Sequence, residues 1–301
     1  MMGNYSIKEL EQLSGIKAHT IRIWEKRYSL INPQRTNTNI RLYSDEDLKK
    51  IINVSLLNSN GIKISKIAGM SDDEISRKII EITQSDGDIS IHINQLMVAM
   101  VDLDEEKFEK SLSGLFLRYT FNQTITAIVY PFLEKIGILW QTDHITPGQE
   151  HFISNLIRQK MIVAIDGLPL PPADRKKVLL YLPEGELHEI GLLFYHYLAR
   201  KAGYRTIYLG QTVPHKDLEE VYAFHRPEIL ITCITTALQD TSLKAYLSRL
   251  ATDFPCDQIL VSGLQVQQMG FEPPSDRVFI FKKVEELMEL LRIPPESPDF
   301  V

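Results

Sequence analysis

The chain has 301 residues, 44% of them hydrophobic and 24% charged, the composition of an ordinary soluble protein long enough for two or three domains. No apolar run reaches the ~18 residues of a membrane helix, and the start has no basic region leading into an apolar stretch. The two cysteines, Cys233 and Cys256, have no metal-binding spacing. Together these features exclude membrane-spanning and secreted classes and imply a reducing cytoplasm. The net charge of −6 is uneven: residues 1–70 carry eleven Lys/Arg against six Asp/Glu (+5), and the rest carry 22 against 33 (−11). A basic head on an acidic body implies that only the head approaches a polyanion.

In the head, Ser6-Ile7-Lys8-Glu9 forms a capping box, and Ile7, Leu10 and Leu13 mark a short amphipathic helix. Gly15-Ile16 makes a tight turn into a second helix over 18–28, so that two short helices meet at a glycine-containing turn, the form of a helix-turn-helix. This second helix presents Lys17, His19, Thr20, Arg22, Lys26 and Arg27, while Ile21 and Trp24 supply its inner face. Residues 32–43 read as a polar hairpin flanked by arginines. Ser44-Asp45-Glu46-Asp47 caps a third helix, with Leu48, Ile51, Ile52 and Leu56 on one face. A short fourth helix near 64–70 follows, then an acid-rich polar stretch that reads as a linker.

This order, with Thr20-Ile21-Arg22-Ile23-Trp24-Glu25-Lys26-Arg27-Tyr28 and Arg41-Leu42-Tyr43-Ser44-Asp45-Glu46-Asp47, resembles the winged-helix head of MerR-type transcription regulators over about residues 4–72. The resemblance implies binding to a double-stranded DNA operator. Carried onto this chain, it puts Lys17, His19 and Thr20 on base edges or phosphates, Arg22, Arg27 and Tyr28 on the backbone, and Arg35, Arg41 and Tyr43 on the wing side. Phosphate contacts supply salt-dependent affinity and base contacts supply sequence choice.

Residues 90–167 are rich in helical periodicity, with Leu96, Met97 and Met100, then Phe108, Leu112, Leu115 and Phe116 at three- to four-residue spacing. Two further helices over 123–140 and 147–166 complete a four-helix bundle. Between them, Trp140 is followed after nine residues by Glu150-His151. Trp-x9-Glu-His resembles the helical cap of light-responsive cobalamin regulators of the CarH/LitR type. That resemblance implies that Trp140, Glu150 and His151 enclose the upper face of a corrin and its adenosyl group. In some relatives a histidine directly after the tryptophan captures cobalt once the group has left; here that position is Gln141, with His144 three residues on.

From Lys176 onward, short apolar strands near 178–182, 206–209, 229–233, 258–261 and 278–279 alternate with amphipathic helices. Such alternation implies a parallel sheet with right-handed crossovers, whose ligands bind outside the carboxyl ends of the strands. His188, Gly210, Cys233 and Ser262 fall at those ends. His188 has an acid two residues earlier, Glu186, and a glycine three later, Gly191. An imidazole so placed suits axial ligation of a metal in a cofactor, with the acid fixing the second ring nitrogen and the glycine leaving room at the helix start.

Glu186-Leu187-His188-Glu189-Ile190-Gly191 resembles the signature of cobalamin-binding domains, and Tyr208-Leu209-Gly210-Gln211-Thr212-Val213-Pro214 resembles their second-strand loop. The resemblance implies His188 as cobalt ligand, with Gly210 and Val213 beside the cofactor. Cys233-Ile234-Thr235 stands for the usual Ser-x-Leu and Ser262-Gly263 for Gly-Gly. Small residues there normally leave room for the nucleotide tail, so Cys233 and Ser262 put affinity in question more than fold.

The expected architecture is multidomain α and α/β: a winged helix-turn-helix head at 1–72, a linker at 73–89, a four-helix bundle cap at 90–168, and a doubly wound, flavodoxin-like parallel sheet at 175–295 binding cobalamin. The implied function is a non-enzymatic DNA-binding regulator, in the sense of a repressor, whose homo-oligomerisation to a dimer or tetramer responds to adenosylcobalamin and light. Two alternatives remain open on sequence: a regulator of this fold that has lost the cofactor and acts through protein partners, and a corrinoid carrier for methyl transfer.

Overall fold

The computed structural model describes residues 5–36, 39–85, 89–141, 145–238, 241–267 and 270–294. Contacts divide the chain into two units, Met1–Ile153 and Ser154–Val301.

The first unit begins with α1 (Ile7–Ser14), whose Ser6–Glu9 capping box is formed, and α2 (Ala18–Tyr28). Gly15, at φ +73°, supplies the left-handed residue that ends α1. Glu11 of α1 accepts the Ala18 N–H at 3.1 Å and so caps the otherwise uncapped start of α2. The two-residue strands β1 (Gln34–Arg35) and β2 (Arg41–Leu42) pair antiparallel as the wing. Next, α3 (Asp45–Ser59) carries the Ser44–Asp47 capping box, and α4 (Ile64–Ile67) is short. Leu10, Ile21, Leu48, Ile51 and Ile52 are wholly buried and join the three main helices of the head.

The segment at 73–89 is not a linker through most of its length. It forms α5 (Asp72–Ser85), and Ile75 and Ile79, one turn apart, are buried. The polar composition around those two isoleucines concealed an amphipathic helix. After it come α6 (Ile89–Asp102), α7 (Glu105–Arg118), α8 (Phe121–Thr124), a π turn at Ile125–Val129, α9 (Tyr130–Gln141) and α10 (Pro147–Asp166). The bundle centres on α6, buried along nearly its whole length and packed on α7, the π turn and α9. Head and bundle share the first unit: α6 packs against α3, Lys49 Nζ lies 2.5 Å from Asp102, and Lys135 Nζ reaches the Leu13 carbonyl at 3.4 Å.

The second unit contains one five-stranded, all-parallel sheet: β3 (Lys177–Pro183), β4 (Arg205–Val213), β5 (Ile229–Cys233), β6 (Gln258–Ser262) and β7 (Val278–Ile280), in the order β4-β3-β5-β6-β7. Its crossovers carry α11 (Ile190–Lys201), α12 (His215–His225), α13 (Leu243–Asp253) and α14 (Leu264–Gln267), and α15 (Val284–Leu290) follows β7. Counted from its own first strand, this is the 2-1-3-4-5 order of flavodoxin-like sheets. The central strand β5 is buried at every residue, as expected of a sheet covered on both faces. The chain reverses direction across the sheet between β3 and β5, the switch point at whose strand ends sheets of this kind bind their ligands.

Candidate functional site

In the second unit the site grows from the end of β3. The chain leaves Pro183, turns, and returns through Glu186 to the start of α11. Glu186 is 2% exposed, and both of its oxygens are used. Oε1 accepts the backbone N–H groups of Leu187 and His188 at 3.0 Å and lies 2.6 Å from His188 Nδ1. Oε2 accepts the backbone N–H groups of Thr235 and Thr236 at 2.7 Å and the Thr236 hydroxyl at 3.0 Å. Since Thr235 and Thr236 follow β5, one carboxylate ties the loop after β3 to the loop after β5 across the switch point. Burial alone would raise the Glu186 pKa. The hydrogen bond with His188 and the N–H groups of Thr236, His188 and Thr235 outweigh it and hold the carboxyl at about 2.

That carboxylate sets the state of His188. With Nδ1 donating its proton to Oε1, the ring is held in the tautomer whose lone pair lies on Nε2. The side chain is 60% exposed. A fixed tautomer, a buried carboxylate behind it and an accessible ring make a nitrogen donor of the kind that could hold the metal of a cofactor, as in carboxylate–histidine–metal arrangements. Beside it, Glu189 is buried, ion-paired to Arg158 Nε at 2.6 Å, and accepts the Tyr208 hydroxyl at 3.1 Å. Burial first, then the Glu189 charge, pushes the Tyr208 phenol far up, so it stays a neutral donor. Gln211 Nε2 donates to the Leu187 carbonyl at 2.7 Å. Arg158, Tyr208 and Thr236 were missed as site residues on sequence, because their partners lie far along the chain. The one available hint was the second acid, Glu189, beside the histidine.

The remaining expected cofactor residues divide. Gly210 has φ +78°, a conformation that favours glycine, at the irregular step where β4 leaves register with β3. Val213 packs into the hydrophobic core at the end of β4. Cys233 is buried at the end of β5, and burial pushes its thiol up to about 11, which keeps it protonated. Gly263 is demanded by the chain itself: at φ +108°, a Cβ there would lie 2.4 Å from the Ile234 carbonyl oxygen. The space where its side chain would stand is taken by the Ile234 backbone. In the first unit, Glu150 Oε2 and His151 Nδ1 pair at 3.0 Å on α10, with His151 71% exposed. The side chains of Trp140 and Gln141, and all of His144, lie outside the described residues.

On the head, Lys17, His19, Arg22, Lys26, Arg27 and Arg35 are exposed. Thr20 and Tyr28 are half-buried, and Arg27 lies 5.5 Å from the Tyr28 ring. Arg22, Lys26, Arg35 and Arg41 line one depression between α2 and the wing. Two wing residues have structural tasks, which for Tyr43 replaces the expected outward one. Tyr43 is wholly buried, bonded through its backbone to Tyr5 and through its hydroxyl to Glu25 at 3.2 Å. Arg41 Nε reaches both Glu25 oxygens at 3.0 and 3.1 Å, which pins the wing to α2.

Residues 5–74 match the family described as MerR HTH family regulatory protein, and residues 92–164 match the B12 binding domain. The chain therefore carries a MerR-type helix-turn-helix domain followed by a B12-binding domain. Among its relatives, the HTH-type transcriptional repressor CarH of Myxococcus xanthus is 26% identical, with 83% of this chain and 85% of that protein covered. The HTH-type transcriptional repressor CarA of the same organism is 24% identical, with 87% of each covered. The Methanosarcina barkeri monomethylamine corrinoid protein is similar in fold, with a TM-score of 0.53 at 18% identity, over 65% of this chain and 95% of that one.

Proposed function

We propose that this regulator is a cytoplasmic repressor whose operator binding is set by adenosylcobalamin held through His188, with light as the signal that removes the adenosyl group. The observation that carries this reading is the Glu186–His188 pair at 2.6 Å, built at the switch point of the sheet in a chain that also carries a DNA-binding head. Bound there, the cofactor supplies a light-sensitive cobalt–carbon bond. The protein's residues do the rest. His188 would hold the cobalt through Nε2, and Glu186 would fix the ring and its proton. Trp140, Glu150 and His151 are proposed to cover the upper face. The adenosyl-bound form then self-associates, bringing several basic heads onto one operator, with Lys17, His19 and Thr20 selecting bases. Gln141, directly after the tryptophan, would be a poor cobalt ligand, so any second histidine ligand would have to come from His144.

Both named relatives are repressors, which supports that sense of regulation. The head supports regulation over methyl transfer, since a carrier has no use for it. The test is an absorbance spectrum of the full chain after incubation with adenosylcobalamin and desalting, in the dark and after illumination, paired with light scattering. Retained corrinoid with a mass that falls on illumination is expected. A colourless protein would move the assignment to a cofactor-free regulator acting through protein partners.

A further inference from the structure

The small residues expected to leave a slot for a nucleotide tail surround one large side chain of this chain, Tyr195. It lies on α11 one turn after Gly191 and is 7% exposed. Its hydroxyl donates to Ser262 Oγ at 3.2 Å. A Cβ added at Gly191 would come within 3.8 Å of the same hydroxyl. Burial raises the phenol's pKa and neighbouring Cys233 raises it further, so the group stays a neutral donor beside that thiol. Edge-on packing against Phe281, with ring centroids 5.1 Å apart, holds the ring in place. Three positions that are small in sequence, 191, 233 and 262, thus converge on one ring that fills the space between α11 and the ends of β5 and β6.

We propose that Tyr195 is a specificity-determining plug: the domain takes a corrin ring through His188 but has no preformed slot for the nucleotide base that His188 displaces from cobalt. The proposal rests on the corrinoid reading above. A ligand whose displaced base finds no apolar slot gains nothing from that base, while a corrin without it loses nothing. Opening the slot requires the Tyr195 ring to leave its Ser262 and Phe281 contacts.

The test titrates the full chain with aquocobalamin and with diaquocobinamide, the same corrin without its nucleotide tail, followed by absorbance. The parent should bind cobinamide at least as tightly as cobalamin. Tyr195→Ala should tighten cobalamin by about tenfold while leaving cobinamide within about twofold, the scale of an aromatic ring gaining a buried apolar slot. Tyr195→Phe keeps the ring and should keep the parent's ratio. If the parent prefers cobalamin tenfold or more, or if Tyr195→Ala shifts both corrins equally, the plug is wrong while the corrinoid reading stands. If neither corrin binds the parent or any variant, the corrinoid reading fails and the plug with it. The parent's ratio decides even where Tyr195→Ala does not fold.

Discussion

Glu186 joins His188 to Thr236: one oxygen holds the imidazole at 2.6 Å, and the other takes the Thr236 N–H at 2.7 Å from the opposite side of the switch point. The carboxylate that orients the histidine is therefore also a cross-brace of the sheet's ligand-facing end. Changes to Glu186 should register in both stability and binding, whereas changes to His188 should register mainly in binding.

The stability of the second unit should depend on pH through Glu186. Its folded pKa, about 2, lies below the ordinary carboxylate value of 4.5. The contribution is therefore fully present above the unfolded value and is lost as pH falls from about 4.5 through 2. A shift of this size corresponds to about 3 kcal/mol. Glu186→Gln should lower stability by about that much at pH 7, and the gap to the parent should narrow below pH 4. Urea unfolding of both proteins at pH 7 and pH 3 checks this; an equal gap at both values would falsify it.

For corrinoid binding, His188→Ala should abolish the spectrum of histidine-ligated cobalt and most of the affinity. Glu186→Gln keeps the ring but loosens its tautomer and orientation, and should cost ~10–100-fold. Absorbance titration distinguishes the two variants. An unchanged cobalt spectrum in His188→Ala would remove that residue as the ligand.

On DNA, Arg22→Ala and Arg27→Ala, both at exposed positions on α2, should weaken specific and non-specific sites alike. Each should reduce the salt slope of binding by about 1. His19→Ala should instead relax sequence choice. Arg41→Ala should weaken binding indirectly, because it frees the wing from Glu25. Mobility-shift titrations over a range of salt separate these effects, and full retention of affinity in both Arg22 and Arg27 variants would contradict the assigned face.

Gly263→Ala should be among the most damaging small substitutions in the second unit. Its methyl group would fall 2.4 Å from a backbone oxygen at a φ of +108°, so the loop at Ile234 must move. A loss of about 3 kcal/mol or more is expected from combined overpacking and backbone strain. Thermal melting measures it, and a variant as stable as the parent would show that the Ile234 loop is free to shift.

Much of the architecture was legible along the chain because it rests on neighbours three or four residues apart. Ser6 with Glu9 and Ser44 with Asp47 announced helix starts, and both boxes are closed. The helix Pro147–Asp166 has the bounds its periodicity predicted, and the alternation after Lys176 implied the parallel sheet that is present. The spacing from Glu186 to His188 also stated their contact, since two residues at a strand end share one turn. What depended on distant contacts was misread or missed. Tyr43 looked like a wing residue, but its bridge to Tyr5 buries it. The helix Asp72–Ser85 was hidden because its acidic and polar residues, Asp72, Asp73, Glu74 and Arg77 among them, mask the spacing of the buried Ile75 and Ile79. Gly263 and Ser262 read as empty space, yet Ile234 fills one and Tyr195 the other. A small residue states only that something comes close; whether that is a ligand, a backbone or a ring from another helix is decided by packing between segments far apart in sequence, where close-packed interiors leave little unclaimed volume.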